Sequence, residues 1–115
     1  MIVGIGLDIT EVFRFSRAVE RPGMRDRLFS EREQDAPTER LAGRFAAKEA
    51  LAKALGAPGG LVWTDVEVLA EASGQPYFVF HGTVAARLAE LAVDRVFLTI
   101  THDAGVAAAM VVCER

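Results

Sequence analysis

The chain has 115 residues, with 13 Lys and Arg against 16 Asp and Glu, a formal net charge of −3 and 51% hydrophobic residues. This length favours a single domain spanning residues 1–115, and a chain that is half apolar and one quarter charged is not disordered. The acidic balance argues against sequence-independent nucleic-acid binding, which needs a basic surface. A deep cleft is hard to build within one copy of a domain this small, so oligomerisation is expected.

The single cysteine and the first residues of the chain indicate the cellular compartment of the protein. Cys113 cannot form an intramolecular disulfide, and residues 1–4 contain no basic segment ahead of an apolar stretch. A reduced, cytoplasmic protein is therefore predicted, with no signal peptide, no membrane span and no membrane partner.

The first elements in chain order are a strand and a broken helix. Residues 2–9 form an apolar run interrupted by Gly4 and Gly6, which predicts a strand that another backbone approaches closely. Residues 11–28 have a helical pattern that Pro22-Gly23 breaks, so two short helices are expected.

The longest helical stretch covers residues 39–55 and is expected to end at Gly56 as its C-cap. A period of two over 62–68 predicts a strand, and residues 77–80 predict a second strand joined to it by a hairpin connection at 72–76.

The last third returns to strands after one helix. Thr83 can cap a helix that runs to about residue 92. Strands are predicted over 95–101 and 106–112, with a turn at 102–105 between them. The order predicts an α+β fold in which a small antiparallel sheet packs against a long buried helix and shorter helices.

The long helix is apolar on most sides, so the charges on it need partners. Arg44 and Lys48 are four residues apart and repel each other, and an anion between them, best a phosphate, would resolve this conflict. Both lysines of the chain, Lys48 and Lys53, lie in this helix. Glu49 and Lys53 are also four residues apart, and the simpler interpretation of that spacing is an ordinary helix ion pair.

Asp8 closes the first strand, where an acid most often serves a turn or a cap. If the strand packs beside the long helix, Asp8 and Glu49 converge and form the kind of oxygen site that magnesium prefers. His102 is expected in the last turn, either as a hydrogen-bonded structural residue or as a ligand contact. His81 and Cys113 have no partner at metal-ligand spacing and receive no role.

Positive charge is concentrated between residues 14 and 27. Five arginines against Glu20 and Asp26 give this segment a charge of +3, so the rest of the chain carries −6. Four of them recur at helical spacing and are called the arginine ridge: Arg14, Arg17, Arg21 and Arg25. Most charge runs are solvated faces, but this asymmetry in an acidic protein indicates a docking site for an acidic partner.

Four motifs together resemble a known family over nearly the whole chain. They are Gly4-Ile5-Gly6-Leu7-Asp8-Ile9-Thr10-Glu11 with Arg14, then Leu41-Ala42-Gly43-Arg44-Phe45-Ala46-Ala47-Lys48-Glu49-Ala50-Leu51-Ala52-Lys53-Ala54-Leu55-Gly56, then Gly74-Gln75-Pro76-Tyr77, and finally Thr99-Ile100-Thr101-His102. This set resembles the holo-[acyl-carrier-protein] synthases of the 4′-phosphopantetheinyl transferase family, and the long second motif is the most specific part.

The resemblance implies that coenzyme A donates its 4′-phosphopantetheine arm to a serine of apo-acyl carrier protein and leaves adenosine 3′,5′-bisphosphate. It implies magnesium held by Asp8 and Glu49, Lys53 close to the reacting phosphoryl group, and a homotrimer with active sites between subunits. Coenzyme A contacts are implied for Arg44, Lys48, Gly56, Pro76 and His102. The arginine ridge is then the expected docking surface for the acidic carrier protein.

Several alternatives stay open at this stage. The base that takes the serine proton is Glu49 or a water on the metal. A non-catalytic nucleotide- or coenzyme-A-binding module would keep Arg44 and Lys48 but would not need both Asp8 and Glu49. A purely structural interaction domain would leave the like-charged pair unexplained. Carrier proteins of fatty-acid (lipid) and of polyketide biosynthesis are both compatible with the sequence.

Overall fold

Five strands and four helices follow one another in the computed structural model, which describes residues 1–115. The first half contains β1 (Ile2–Glu11), α1 (Val12–Val19), α2 (Met24–Leu28) and α3 (Thr38–Ala54). The second half contains β2 (Val66–Ala70), β3 (Pro76–Phe80), α4 (Gly82–Glu90), β4 (Arg95–Asp103) and β5 (Val106–Glu114).

The strands form two antiparallel sheets. One has three strands in the order β1-β5-β4, and the other is the β2-β3 hairpin. Helix α3 packs against the three-stranded sheet, and ten of its residues are buried. The predicted α+β fold with a long buried helix is confirmed. None of the helices combines the length and apolar character needed to cross a membrane.

The backbones of β1 and α3 touch, as the glycines in the first motif predicted. A Cβ added at Gly6 would overlap the carbonyl oxygen of Ala50, and one at Gly4 would overlap that of Ala54. Side chains alternate along a strand, so Asp8 lies on the same side of β1 as these glycines. The close contact therefore carries Asp8 to the surface of α3.

The opposite side of the three-stranded sheet is apolar and exposed. Ile5, Leu7 and Ile9 of β1 are 60%, 57% and 65% exposed. Met110 of β5 pairs with Leu7, and Phe97 of β4 is also exposed. These five residues define the open sheet face. A contiguous apolar surface of this kind on a small protein marks an interaction surface.

One strand begins later than its sequence pattern predicted. Residues 63–65 form a 3₁₀ turn, and β2 starts only at Val66. The cause is Asp65, whose Oδ2 accepts the backbone N–H of Thr83 at 2.8 Å and its hydroxyl at 2.7 Å. The side chain of Asp65, which is remote in sequence, thus satisfies a free N–H in the first turn of α4. The N-cap residue of α4 is His81 and not Thr83.

Several turns carry backbone conformations that glycine favours. Strand β4 extends through His102, so the predicted four-residue turn is only Ala104-Gly105, with φ of 51° and 78°. His102 is therefore a strand residue and not a turn residue. Gly23, at φ 78°, separates α1 from α2, and Gly56, at φ 84°, follows the end of α3 as predicted.

Glu67 of β2 is the centre of a polar cluster beneath the hairpin. Its side chain is 7% exposed and accepts the Ser30 hydroxyl at 2.6 Å. Arg32 donates to it from Nε at 3.0 Å and from Nη2 at 2.6 Å, and Nε2 of His81 lies 2.7 Å away. His81, which had no assigned role, is thus part of a structural cluster.

This cluster makes stability depend on pH. The hydrogen bond from Arg32 is the largest cause that lowers the pKa of Glu67 below its ordinary value of 4.5. A depressed carboxyl pKa stabilises the fold above pH 4.5 and loses that contribution as pH falls through the folded-state value. Glu67→Gln is therefore expected to lower the unfolding midpoint at pH 7, and the deficit should shrink on acidification below pH 4.5. Thermal melts of both proteins between pH 7 and 2 check this; a deficit that does not change with pH would contradict it.

Candidate active site

Asp8 of β1 and Glu49 of α3 line one cavity of about 400 Å³. The pKa of Glu49 is raised, mainly by burial and next by the negative charge of Asp8. The two carboxylates are therefore close enough to repel each other. The structure brings these two side chains together as their positions in the sequence predicted.

Lys53 pairs with Asp8 and not with Glu49. Its Nζ lies 3.3 Å from Oδ1 of Asp8 and donates to the carbonyl of Leu7 at 2.9 Å. Thr10 donates its hydroxyl to the other oxygen of Asp8 at 2.9 Å. The ordinary helix ion pair with Glu49 is thus not formed. The Lys53 side chain is half exposed, so its ammonium can also reach a bound anion.

The carboxylate pair fits a hard divalent cation that also binds substrate phosphate. No group of three or more His, Cys, Asp or Glu side chains that could hold a metal ion converges in the protein. Magnesium is commonly held by one or two carboxylates together with substrate phosphates and water. Asp8 and Glu49 supply that number of carboxylates, and the repulsion between them would be relieved by a cation.

The like-charged pair Arg44 and Lys48 has an internal partner that the sequence analysis missed. Nζ of Lys48 contacts Oε1 of Glu33 at 2.9 Å and the carbonyls of Leu28 and Trp63 at 2.7 and 3.1 Å. Arg44 donates to the carbonyl of Glu33 at 2.6 Å. The expectation of a bound anion between the two cations is wrong, because Glu33 supplies the negative charge. Lys48 has no donor left for coenzyme A.

Arg44 lines a second, mainly cationic cavity of about 480 Å³ together with Arg40, Pro76 and His102, and Glu71 is its one acidic residue. Burial is the largest cause that lowers the pKa of Arg44, and the charge of Arg40 contributes in the same direction. His102 also has the structural contact that a lone histidine commonly makes, since its Nε2 lies 3.2 Å from the carbonyl of Glu39. Two neighbouring guanidinium groups and an imidazole favour an anionic ligand here.

Gly56 lies in a third cavity, of about 320 Å³, which Lys53 also lines. Arg87 borders this cavity and donates to the carbonyl of Leu55 from Nε at 3.1 Å and from Nη2 at 3.0 Å. Those bonds satisfy an unpaired carbonyl at the end of α3. Lys53 is the link between this cavity and Asp8.

The candidate residues are therefore divided within one chain. No residue lines both the cavity of Asp8 and Glu49 and the cavity of Arg44 and His102. A ligand held by all of these residues of one subunit would have to extend from one cavity to the other.

Three members of the arginine ridge share one surface. Arg14, Arg17 and Arg21 line a groove along α1, and Arg14 also lines the cavity of Asp8 and Glu49. Arg25 lies beyond the left-handed turn at Gly23 and lines neither space. The continuous ridge of four is thus shortened to three, because the chain changes direction after α1.

Two residues near these sites had no assigned role in the sequence analysis. Arg40 could have been found, because it lies four residues before Arg44 on the same helix. Glu33 had no such signal, because it is 15 residues from Lys48 in a short 3₁₀ turn.

Comparison with known proteins gives consistent matches over the full length. A family model described as the 4′-phosphopantetheinyl transferase superfamily matches residues 4–111. A holo-[acyl-carrier-protein] synthase of Streptomyces avermitilis is 58% identical over 120 residues, which cover 98% of each protein.

Solved structures agree with these matches. The holo-[acyl-carrier-protein] synthase of Neisseria meningitidis superposes with a TM-score of 0.85 at 32% identity and covers 100% of both chains. The Helicobacter pylori holo-[acyl-carrier-protein] synthase in complex with coenzyme A has a TM-score of 0.83 at 29% identity, covering 96% of this chain and 99% of that one.

Proposed function

Because the chain belongs to the 4′-phosphopantetheinyl transferase superfamily, we propose that it transfers the 4′-phosphopantetheine arm of coenzyme A to a serine of apo-acyl carrier protein. The second product would be adenosine 3′,5′-bisphosphate. The observation that carries this proposal is the meeting of Asp8 and Glu49 in a cavity that Arg14 also lines. This cavity thus contains two carboxylates that could bind a cation, and an arginine at which an acidic partner could dock.

Asp8 and Glu49 are the residues that would hold magnesium on the pyrophosphate of coenzyme A. Magnesium, when bound there, offsets negative charge on the phosphate oxygens. Lys53 is held beside Asp8 by two contacts and keeps half of its side chain exposed. Its ammonium would therefore stabilise charge that develops on the reacting phosphoryl group.

The cationic cavity is the proposed binding site for the remaining phosphate of coenzyme A. Arg44 and His102 would contact the phosphate, with Arg40 adding charge and Pro76 lining the wall. Gly56 would allow close approach of the ligand near Lys53, because glycine leaves the end of α3 without a side chain.

We further propose a homotrimer in which each active site combines two subunits. The open sheet face is a large apolar surface that a second copy would cover. The separation of the Asp8–Glu49 cavity from the Arg44–His102 cavity supports the same assembly. One coenzyme A could then contact the carboxylates of one subunit and the cations of its neighbour.

The three ridge arginines that share a groove would dock the acidic carrier protein. Arg14→Glu and Arg21→Glu are each expected to raise the KM for carrier protein several-fold and to leave the KM for coenzyme A little changed. The effect should fade with salt, because the Debye length falls from about 10 Å at 0.1 M to about 3 Å at 1 M. Arg25→Glu, which changes a neighbouring arginine outside the groove and outside the Asp8–Glu49 cavity, is the matched control. Loss of coenzyme A affinity with normal carrier-protein kinetics would assign the groove to the nucleotide instead.

The proposed function is tested by following both coenzyme A and its product. Chromatography of a mixture of enzyme, coenzyme A, magnesium and apo-carrier protein should show adenosine 3′,5′-bisphosphate appearing as coenzyme A is consumed. A protein that binds coenzyme A but releases no product would be the non-catalytic binding module considered above.

A further inference from the structure

The ion pair between Glu33 and Lys48 has no part in the proposed reaction, although Lys48 directly precedes Glu49 in α3. Both side chains are completely inaccessible, and the N–O distance is 2.9 Å. Removing two charges from water is costly, and an apolar pair could fill the same space. A buried pair in this position therefore needs a reason beyond packing.

The contacts of Lys48 supply that reason. Its ammonium donates to the carbonyl of Leu28, at the end of α2, and to the carbonyl of Trp63, in the 3₁₀ turn before β2. Leu28 and Trp63 both line the cavity that contains Asp8 and Glu49. One side chain on α3 thus fixes two separate segments of the cavity wall relative to the helix that carries Glu49.

Glu33 holds the ammonium of Lys48 in place and also binds two backbone N–H groups. Oε1 accepts the N–H of Ser30 at 2.9 Å as well as Lys48, and Oε2 accepts the N–H of Val68 at 2.9 Å. No buried side-chain polar atom in the protein lacks a partner. A fully satisfied buried network of this kind specifies one arrangement of the segments it joins.

The arrangement extends to α1 through aromatic rings that pack against one another at a tilt. The ring of Trp63 lies 5.4 Å from that of Phe45, and Phe45 lies 5.5 Å from Phe15 on α1. All three residues line the same cavity. A shift of Trp63 would therefore move the cavity floor between Glu49 and α1.

We propose that Glu33 and Lys48 are positioning residues, which set the cavity wall and floor around Glu49 by holding the carbonyls of Leu28 and Trp63. This inference rests on the transferase function proposed above. Because both side chains are inaccessible, neither would touch substrate. Because a misplacement of about 1 Å can cost about 100-fold in rate, loss of these bonds should reduce kcat by at least about 10-fold.

The main test is the double variant Glu33→Gln with Lys48→Met, in which neither charge is left unpaired and folding is best preserved. The single variant Lys48→Met is measured beside it. Both should lower kcat about 10-fold or more, with the KM for coenzyme A changed less than about 3-fold. Trp63 is the only tryptophan, so its emission spectrum should shift in both proteins and report the displaced wall.

Glu67→Gln is the matched control, because Glu67 is a buried carboxylate of the adjoining cluster that makes no hydrogen bond to α3. It should lower the unfolding midpoint and leave kcat and Trp63 emission unchanged. A folded double variant with the kcat of the wild type would overturn the proposal. A kcat that falls in all three variants in proportion to their unfolding midpoints would overturn it as well. Absence of transfer by the wild type would instead reject the proposed function.

Discussion

Glu49→Gln is expected to lower the kcat of transfer on the order of 100-fold or more while the protein stays folded. The substitution removes one of the two carboxylates available to a cation and keeps the size of the side chain. Because burial and Asp8 raise the pKa of Glu49, its negative charge is unfavourable in the folded chain. The neutral amide should therefore leave the unfolding midpoint unchanged or slightly higher.

Initial-rate kinetics and thermal melts of Glu49→Gln and Asp8→Asn test this, with Glu90→Gln as a control. Glu90 pairs only with Arg87 on the surface of α4, so its loss should change neither rate nor stability appreciably. Chelation of magnesium should reduce the wild type to the level of the Glu49 variant. Wild-type activity in Glu49→Gln would reject the assignment of the cation site.

Leu7→Asp is the second substitution with a large expected effect, because it places a charge at the centre of the open sheet face. Sedimentation of the wild type should give about three times the 12.4 kDa chain mass, and the variant should sediment as a monomer. Activity should fall on the order of 100-fold, since each site would lose the residues of its neighbour. Val62→Asp adds a charge at an exposed apolar residue away from this face, and we expect it to retain the assembly.

Complementation examines the sharing of sites separately. Asp8→Ala and His102→Ala should each be inactive alone, and mixing them after dissociation should restore part of the activity. Restoration requires sites that take Asp8 from one subunit and His102 from another. A monomer with full activity would exclude this arrangement.

The meeting of Asp8 and Glu49 could be predicted because it depends on local features. Gly4 and Gly6 allow β1 to touch α3, and the alternation of a strand then directs Asp8 to the helix. The small side chains at Ala50 and Ala54 make the helix side of that contact. Such signals can be read from a motif of a few residues.

The partner of Lys48 could not be predicted in the same way. Glu33 reaches it only because the segment before α3 folds back over the helix, and no spacing along the chain records that contact. The start of β2 was misplaced for a related reason. Asp65 bonds Thr83, 18 residues later, and this tertiary contact overrides the alternating pattern from residue 62.

The intact mass of an apo-acyl carrier protein, measured after incubation with this enzyme, coenzyme A and magnesium, tests the central proposal most directly. The mass should rise by one phosphopantetheine group per carrier protein with the wild type. It should stay unchanged with Glu49→Gln, with chelated magnesium, or with a carrier protein whose acceptor serine is replaced by alanine. An unchanged mass with the folded wild-type protein, or an equal increase with Glu49→Gln, would contradict the account.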